Sequence, residues 1–290
     1  MPEALKTILT LSVDGVSYGM ILFLISSGLT VTLGLMRVVN LAHGAFAMLG
    51  GYFALAAGRH LGVGLFPAML IGIVGTVLIG LLLERTVYQW VYKTNELGQM
   101  LMTIGLTFVI ISVVTLFFDT SLHTLPVPAL LEGNVDLAGV LVSKYRGFLV
   151  VVSCAIALSV WYVIERTDFG ARLRASVDNA KMARAVGIDV QRVFAVTMAA
   201  GCGLAAVGGI LGTQWMALQP FYPLKYLVPV LTVVAVGGLG SLKGSFIAAL
   251  LLGLGDTFGR YLLEFGGGFV IYALVVLFLV IRPNGLFART

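Results

Sequence analysis

The sequence predicts an all-α polytopic membrane protein, a bundle of about eight to ten transmembrane helices. Three observations carry this. Of 290 residues 59% are hydrophobic and 11% charged, and the mean hydropathy is +1.04, which excludes a soluble globular protein. The charges gather in short runs separating long apolar stretches, several of them long enough to cross the ~30 Å hydrocarbon core. The chain also carries 36 glycines, as expected where helices approach closely in lipid. Residues 1–290 read as one membrane domain.

Orientation comes from residues 165–192, which hold six of the 18 basic residues and four of the 13 acidic ones. The flanking runs 147–164 and 193–218 contain no Asp, Glu, Lys or Arg. A basic loop between two spans marks the cytoplasmic side.

Taken in order, the first span is 15–36, with Gly15 and Gly19 at a helix-packing spacing. Gly15-Val16-Ser17-Tyr18-Gly19 also matches the serine-hydrolase elbow, but that motif needs a strand before it, and membrane helix lies on both sides here. The second span, 38–58, carries Asn40 and His43 near its cytoplasmic start. Polar groups at that depth face the bundle, where they either satisfy a neighbouring backbone or line a pathway. Residues 61–83 form the third span, with Pro67 early, where a helix tolerates it. A small cytoplasmic loop, 84–96, leads to the fourth span, 97–118. Residues 119–146, with Pro126, Pro128 and Gly133, make the longest external loop; contact with an external protein and a plain connector are equally open.

Residues 147–164 return to the cytoplasmic loop, and 193–218 leave it again, with Gly208 and Gly212 spaced for packing. Pro220, Pro223 and Pro229 then break the chain outside, before a shorter span at 226–239. The glycine-rich run 237–244 places Lys243 before Gly244, so it is no nucleotide-binding loop. Spans 244–265 and 267–281 complete a set of nine. On that topology 12 basic residues lie inside and five outside, with Arg260 unassigned. The regions around Asn40 and Gly240 also fit broken or re-entrant helices. His43-Gly44-Ala45-Phe46 and Lys243-Gly244-Ser245-Phe246 resemble each other, a hint of two weakly similar halves of the kind found in transporters.

Within the cytoplasmic loop, residues 178–187 predict one short helix, capped by Asp178 and ended by Gly187. Ala180, Ala183 and Gly187 share one face, beside Met182 and Val186. A helix of about eight residues is marginal alone in water. Two readings remain: a solvated connector, or a docking element for a cytoplasmic partner.

The run Thr167-Asp168-Phe169-Gly170-Ala171-Arg172-Leu173-Arg174-Ala175, followed by Asn179-Ala180, Ala183 and Gly187-Ile188, resembles the coupling loop of ABC importer permeases. The likeness is to the branched-chain amino acid (LivH-type) family. Gly34-Leu35-Met36-Arg37-Val38-Val39-Asn40-Leu41-Ala42-His43-Gly44, Gly237-Gly238-Leu239-Gly240-Ser241-Leu242-Lys243-Gly244 and Arg282-Pro283-Asn284-Gly285-Leu286-Phe287 extend it over nearly the whole chain. Ala45 departs from it, standing where the family often has Glu. The resemblance implies a permease that takes branched-chain or other hydrophobic amino acids from an external solute-binding protein. It implies ATP hydrolysis by separate cytoplasmic subunits and pairing with a second permease, related or identical. It implies a prokaryotic cell inner membrane and no cofactor or catalytic residue in this chain. Docking would fall to Gly170, Arg172, Arg174, Asn179, Ala180, Ala183, Arg184 and Gly187. Permeases for urea or short amides share the pattern.

Other classes are less well served. Three scattered histidines give a membrane-embedded enzyme no metal or acid–base cluster. The basic residues sit in short loops, which topology explains better than nucleic acid does. Cys154 and Cys202 lie in apolar spans without metal spacing. The first residues lack the basic region and cleavage site of a removed signal peptide. An ion-coupled carrier would want mid-membrane acids, and only Asp256 qualifies. Asp256, Arg260 and Glu264 share one helix face, and the spacing predicts an Asp256–Arg260 pair turned to the protein interior.

Overall fold

Helix α1 (Glu3–Leu29) runs through the middle of the bundle, packed against five other helices. The computed structural model describes residues 3–36, 38–137, 140–263, 269–282 and 285–287; Arg37, Glu264, Pro283, Asn284 and Arg289 lie outside them. The helix begins 12 residues before the expected first span. Asp14, inside it, is ion-paired with Arg146 at the start of α6 (Lys144–Arg166). The last turns of α1 relax into a π-helical segment, Thr30–Leu35.

Residues 38–42 are not helical, and α2 (His43–Leu61) starts at His43 rather than at Val38. It is rich in Gly and Ala and buried along nearly its whole length. A helix enclosed by other helices needs small side chains more than lipophilic ones. Helix α3 (Leu65–Leu83) continues through a π-helical turn, Glu84–Tyr88, into the short α4 (Gln89–Val91). The expected loop at 84–96 is therefore mostly helix. Its Glu84 is buried, accepting a 2.6 Å hydrogen bond from the Tyr92 hydroxyl. Helix α5 (Glu96–Phe117) is capped by Asn95, whose side chain accepts from the Gly98 amide.

The connection from α5 to α6 is more structured than its composition suggests. It holds a 3₁₀ turn, Ala129–Leu131, and an antiparallel hairpin of β1 (Asn134–Leu137) and β2 (Val140–Ser143). His123 and Leu218 exchange backbone hydrogen bonds of 2.9 and 2.8 Å, tying this segment to the turn that follows α9 (Val190–Leu211). Between α6 and α9 lie two helices, α7 (Asp168–Asp178) and α8 (Ala180–Ala185).

Helix α10 (Tyr222–Gly237) takes Pro223 into its first turn and Pro229 into its interior, so Pro229 does not break the chain outside the bundle as expected. Helices α11 (Leu242–Leu262) and α12 (Val270–Ile281) follow. Six of these segments are long and apolar enough to cross a membrane; α10 and α12 are shorter apolar helices, and α2 is the enclosed one. α3, α5 and α6 present Leu70, Leu78, Leu101, Phe108, Val151 and Leu158 outward, an apolar surface suited to lipid. The inner packing relies on glycine. A Cβ on Gly15 would lie 2.8 Å from the Leu254 Cα, and one on Gly19 2.6 Å from the Ala249 carbonyl oxygen, so their spacing serves the α1–α11 contact. Cys154 and Cys202 are both free.

Candidate functional site

Two interruptions in the helices meet at the π-helical end of α1. The first is the stretch 38–42. Its backbone lies within the bundle, and its exposed amides need partners that lipid cannot supply. Two side chains of α5 supply them: Gln99 Oε1 accepts from the Val39 amide at 2.9 Å, and Thr103 Oγ1 from the Leu41 amide at 3.1 Å. Asn40 is 1% exposed; its Oδ1 accepts from the Ala42 amide at 3.1 Å and from the Tyr88 hydroxyl at 2.7 Å. His43, equally enclosed, donates from Nε2 to the Ile25 carbonyl at 2.8 Å. Among the described residues, then, both candidate pathway side chains bond to their neighbours in the protein.

The second interruption, between α10 and α11, contains Gly238 (φ +97°) and Gly240 (φ +79°). Gly34 of the π-helical segment approaches it so closely that a Cβ would stand 1.9 Å from the Gly240 nitrogen. One turn into α11, Ser245 shares a 2.8 Å hydrogen bond with Thr30. The two similar tetrads thus occupy equivalent places: each opens a helix after a break, and each is bonded to α1 or its π-helical end. No role for Gln99, Thr103, Tyr88 or Thr30 is expected from the sequence, and Ser245 figures there only within its tetrad. For Gln99, Thr103 and Thr30 the available signal is a polar residue inside an otherwise apolar span; Tyr88, in the expected loop 84–96, carries no such signal.

Toward the other end of α11, Arg260 Nε donates to Asp256 Oδ2 at 2.8 Å. The expected pair exists, but only half of it faces inward: the side chain of Asp256 is 5% exposed and that of Arg260 61%.

The loop between α6 and α9 departs from the single helix expected at 178–187. Asp178 is the last residue of α7, and the cap of α8 is Asn179, whose Oδ1 accepts from the Met182 amide at 3.0 Å. At its end the Ile188 amide bonds the Ala183 carbonyl and the Gly187 amide bonds that of Arg184, at 2.9 and 3.0 Å. Gly187 has φ +87°, the left-handed closure of a Schellman motif. Gly170 lies against the end of α6, where a Cβ would come within 1.9 Å of the Ile164 carbonyl oxygen. Arg174 donates to the same carbonyl at 2.6 Å. Gly170 and Arg174 therefore serve the α6–α7 corner. Ala183, expected among the docking residues, is 3% exposed and turned into this chain, and Ala180 is half-buried. The exposed surface of α8 and its C-cap includes Met182 (62% exposed) and Val186 (69%), with Lys181 and Arg184 exposed on the same helix; Arg172 is exposed on α7.

Interrupted helices sealed by side chains from neighbouring spans, in a bundle that also carries a folded hydrophilic loop, define a multi-pass membrane protein of the transport class. Residues 11–281 match the family described as branched-chain amino acid transport system / permease component, and the chain belongs to that family. It is 29% identical to the high-affinity branched-chain amino acid transport system permease protein BraD of Pseudomonas aeruginosa, over all of this chain and 98% of that one. It is 27% identical to the LivH permease protein of Escherichia coli, covering 95% and 94% of the two chains. A partial likeness, 28% identical over 40% of this chain and 35% of the other, joins it to a probable LivM permease of Methanocaldococcus jannaschii. Members of the family are transporters rather than enzymes.

Proposed function

We propose that this chain is the membrane permease of an ATP-driven importer of branched-chain amino acids in a prokaryotic inner membrane, and that α7 and α8 dock a cytoplasmic ATPase subunit through Met182 and Val186. On this reading an external binding protein delivers the substrate, and a second permease, of the same or the LivM type, completes the pathway. The observation that carries the docking is the surface of α8: two large apolar side chains one turn apart, on a helix closed at both ends, with Lys181 and Arg184 exposed beside them. Apolar anchors inside a polar rim are the pattern of an interface centre. Ala183 and Gly170 hold the element in place. α7 also touches the π-helical segment of α1, so movement of the docked partner would reach the centre where the two breaks meet.

The test is co-purification with the ATPase subunit and ATP-dependent leucine uptake in liposomes. Met182→Asp with Val186→Asp should insert normally, because no span changes, yet release the ATPase; a carboxylate forced into an apolar contact costs about 2–5 kcal/mol. Assembly and uptake at wild-type levels would leave the loop a connector.

A further inference from the structure

The outer ends of α1, α10 and α11 enclose a cavity of about 570 Å³ with the turn that carries Trp215 and Met216. That volume lies within the roughly 300–1,000 Å³ range of small-molecule sites. Its walls are unusual for a bundle of this composition. Asp14 and Asp256 face it with Lys225 and Arg260, and the Tyr18 and Tyr226 side chains join them. Asp256 is 3% exposed, and its Oδ1 has no hydrogen-bond partner, while Oδ2 is held by Arg260. A buried carboxylate oxygen left bare is costly, and Asp256 is one of the residues that line this cavity. The positive side is also incompletely used. Arg260 commits its Nε to Asp256, which leaves its terminal amines as donors. Lys225 makes no ion pair among the described residues; its ammonium lies 5.4 Å from the centre of the Tyr226 ring.

Two acids and two bases around one cavity match a ligand carrying both signs. We infer that this cavity binds the zwitterionic head of an α-amino acid, its ammonium on the Asp256 carboxylate and its carboxylate on Arg260 and Lys225, with the aliphatic side chain against Leu11 and Met216. Asp14, already paired with Arg146, holds the charge balance of the wall. This rests on the amino acid transport reading and deepens it: the permease itself would check the charged head at its outer end, whatever the binding protein selects.

The experiment uses the purified full-length chain and labelled L-leucine, with leucinamide (no carboxylate), 4-methylpentanoate (no ammonium) and acetamide as competitors. Leucine should outcompete both half-molecules by about tenfold or more, since each lacks one charged contact. Asp256→Asn, which keeps the shape and the Arg260 contact, should weaken leucine by a similar factor while the melting temperature stays near wild type. Lys225→Gln should weaken leucine but not leucinamide, a split that general damage to the fold would not produce. Leucine bound equally by wild type and Asp256→Asn, or displaced as well by acetamide, overturns the site. A parallel uptake assay with the ATPase and binding protein separates the two ideas. Leucine uptake untouched by Asp256→Asn removes the pocket and keeps the transport reading; no amino acid uptake by the intact system removes both.

Discussion

The Tyr88 hydroxyl donates a 2.7 Å hydrogen bond to Asn40 Oδ1, joining the helical extension of α3 to the break before α2. The same oxygen accepts from the Ala42 amide, so one side chain closes both the break and its contact with a neighbour. Tyr88→Phe removes one of the two bonds and should lower stability by about 1 kcal/mol. Asn40→Ala strands the Ala42 amide and the buried Tyr88 hydroxyl together and should cost about 2–4 kcal/mol. Thermal unfolding in detergent, with both variants compared to wild type, reads the difference; equal losses would mean that Asn40 does no more than hold Tyr88.

At the α6–α7 corner, Gly170→Ala drives a methyl group into the Ile164 carbonyl. Overpacking against backbone cannot be relieved by a rotamer change, and a loss of about 3 kcal/mol is expected. The expected signature is faster protease cleavage between α6 and α7 together with a lower melting temperature. Gly105→Ala, where a Cβ meets nothing within 4 Å, is the matched control and should leave both unchanged.

The ion pair on α11 is asymmetric, and its variants should be too. Arg260→Ala leaves the buried Asp256 carboxylate uncompensated and should cost about 3 kcal/mol. Asp256→Ala frees a guanidinium that already reaches solvent, so its cost is expected nearer 1 kcal/mol. The double variant should recover part of the Arg260→Ala loss. A melting-temperature series checks the order, and an equal penalty for the two single changes would contradict it.

Outside the membrane, the Asp119 carboxyl is held below its ordinary range by the Ser121 hydroxyl and then by His123. His123 takes a hydrogen bond from Arg59 on Nδ1 and donates from Nε2 to Asp119 Oδ1 at 2.7 Å. A lowered folded pKa means that the contribution is complete above the ordinary carboxylate value of 3.8 and is lost as the pH falls through the lowered value. Limited proteolysis of the 119–143 segment should therefore stay constant from neutral pH down to about 4 and rise in more acidic buffer. Asp119→Asn should show the raised cleavage already at neutral pH and little further change.

Which features were legible in sequence follows from how local their causes are. The apolar runs, the charged loop, the left-handed Gly187 and the i, i+4 pair of Asp256 with Arg260 each depend on neighbours within a turn or two. The start of α1 did not: Asp14 reads as an interruption until Arg146, far along the chain, is seen to neutralise it. Helix α8 was misread for a similar reason. Asp178 and Asn179 are both good caps, and the choice falls to Asn179 because α7 continues through Asp178. The inward turn of Ala183 depends on where α7 and α9 lie, which no spacing within the loop encodes. Asn40 and His43 were recognised as bundle-facing, while their partners Tyr88 and the Ile25 carbonyl belong to other helices.

The contact of Gly15 and Gly19 with α11 sets the order in which this protein can be made. The first helix to leave the ribosome finds its main partner only when residues 242–262 emerge, about 10–50 seconds later at synthesis rates of roughly 5–20 residues per second. Until then the groove around those glycines lacks its α11 partner, while Asp14 waits a shorter time, until Arg146 emerges. Chain growth and assembly therefore cannot proceed as a simple stacking of each new helix on the last. The nascent protein depends on whatever shelters α1 in that interval, and a nonsense mutation anywhere before α11 leaves a fragment whose central helix has lost its principal mate.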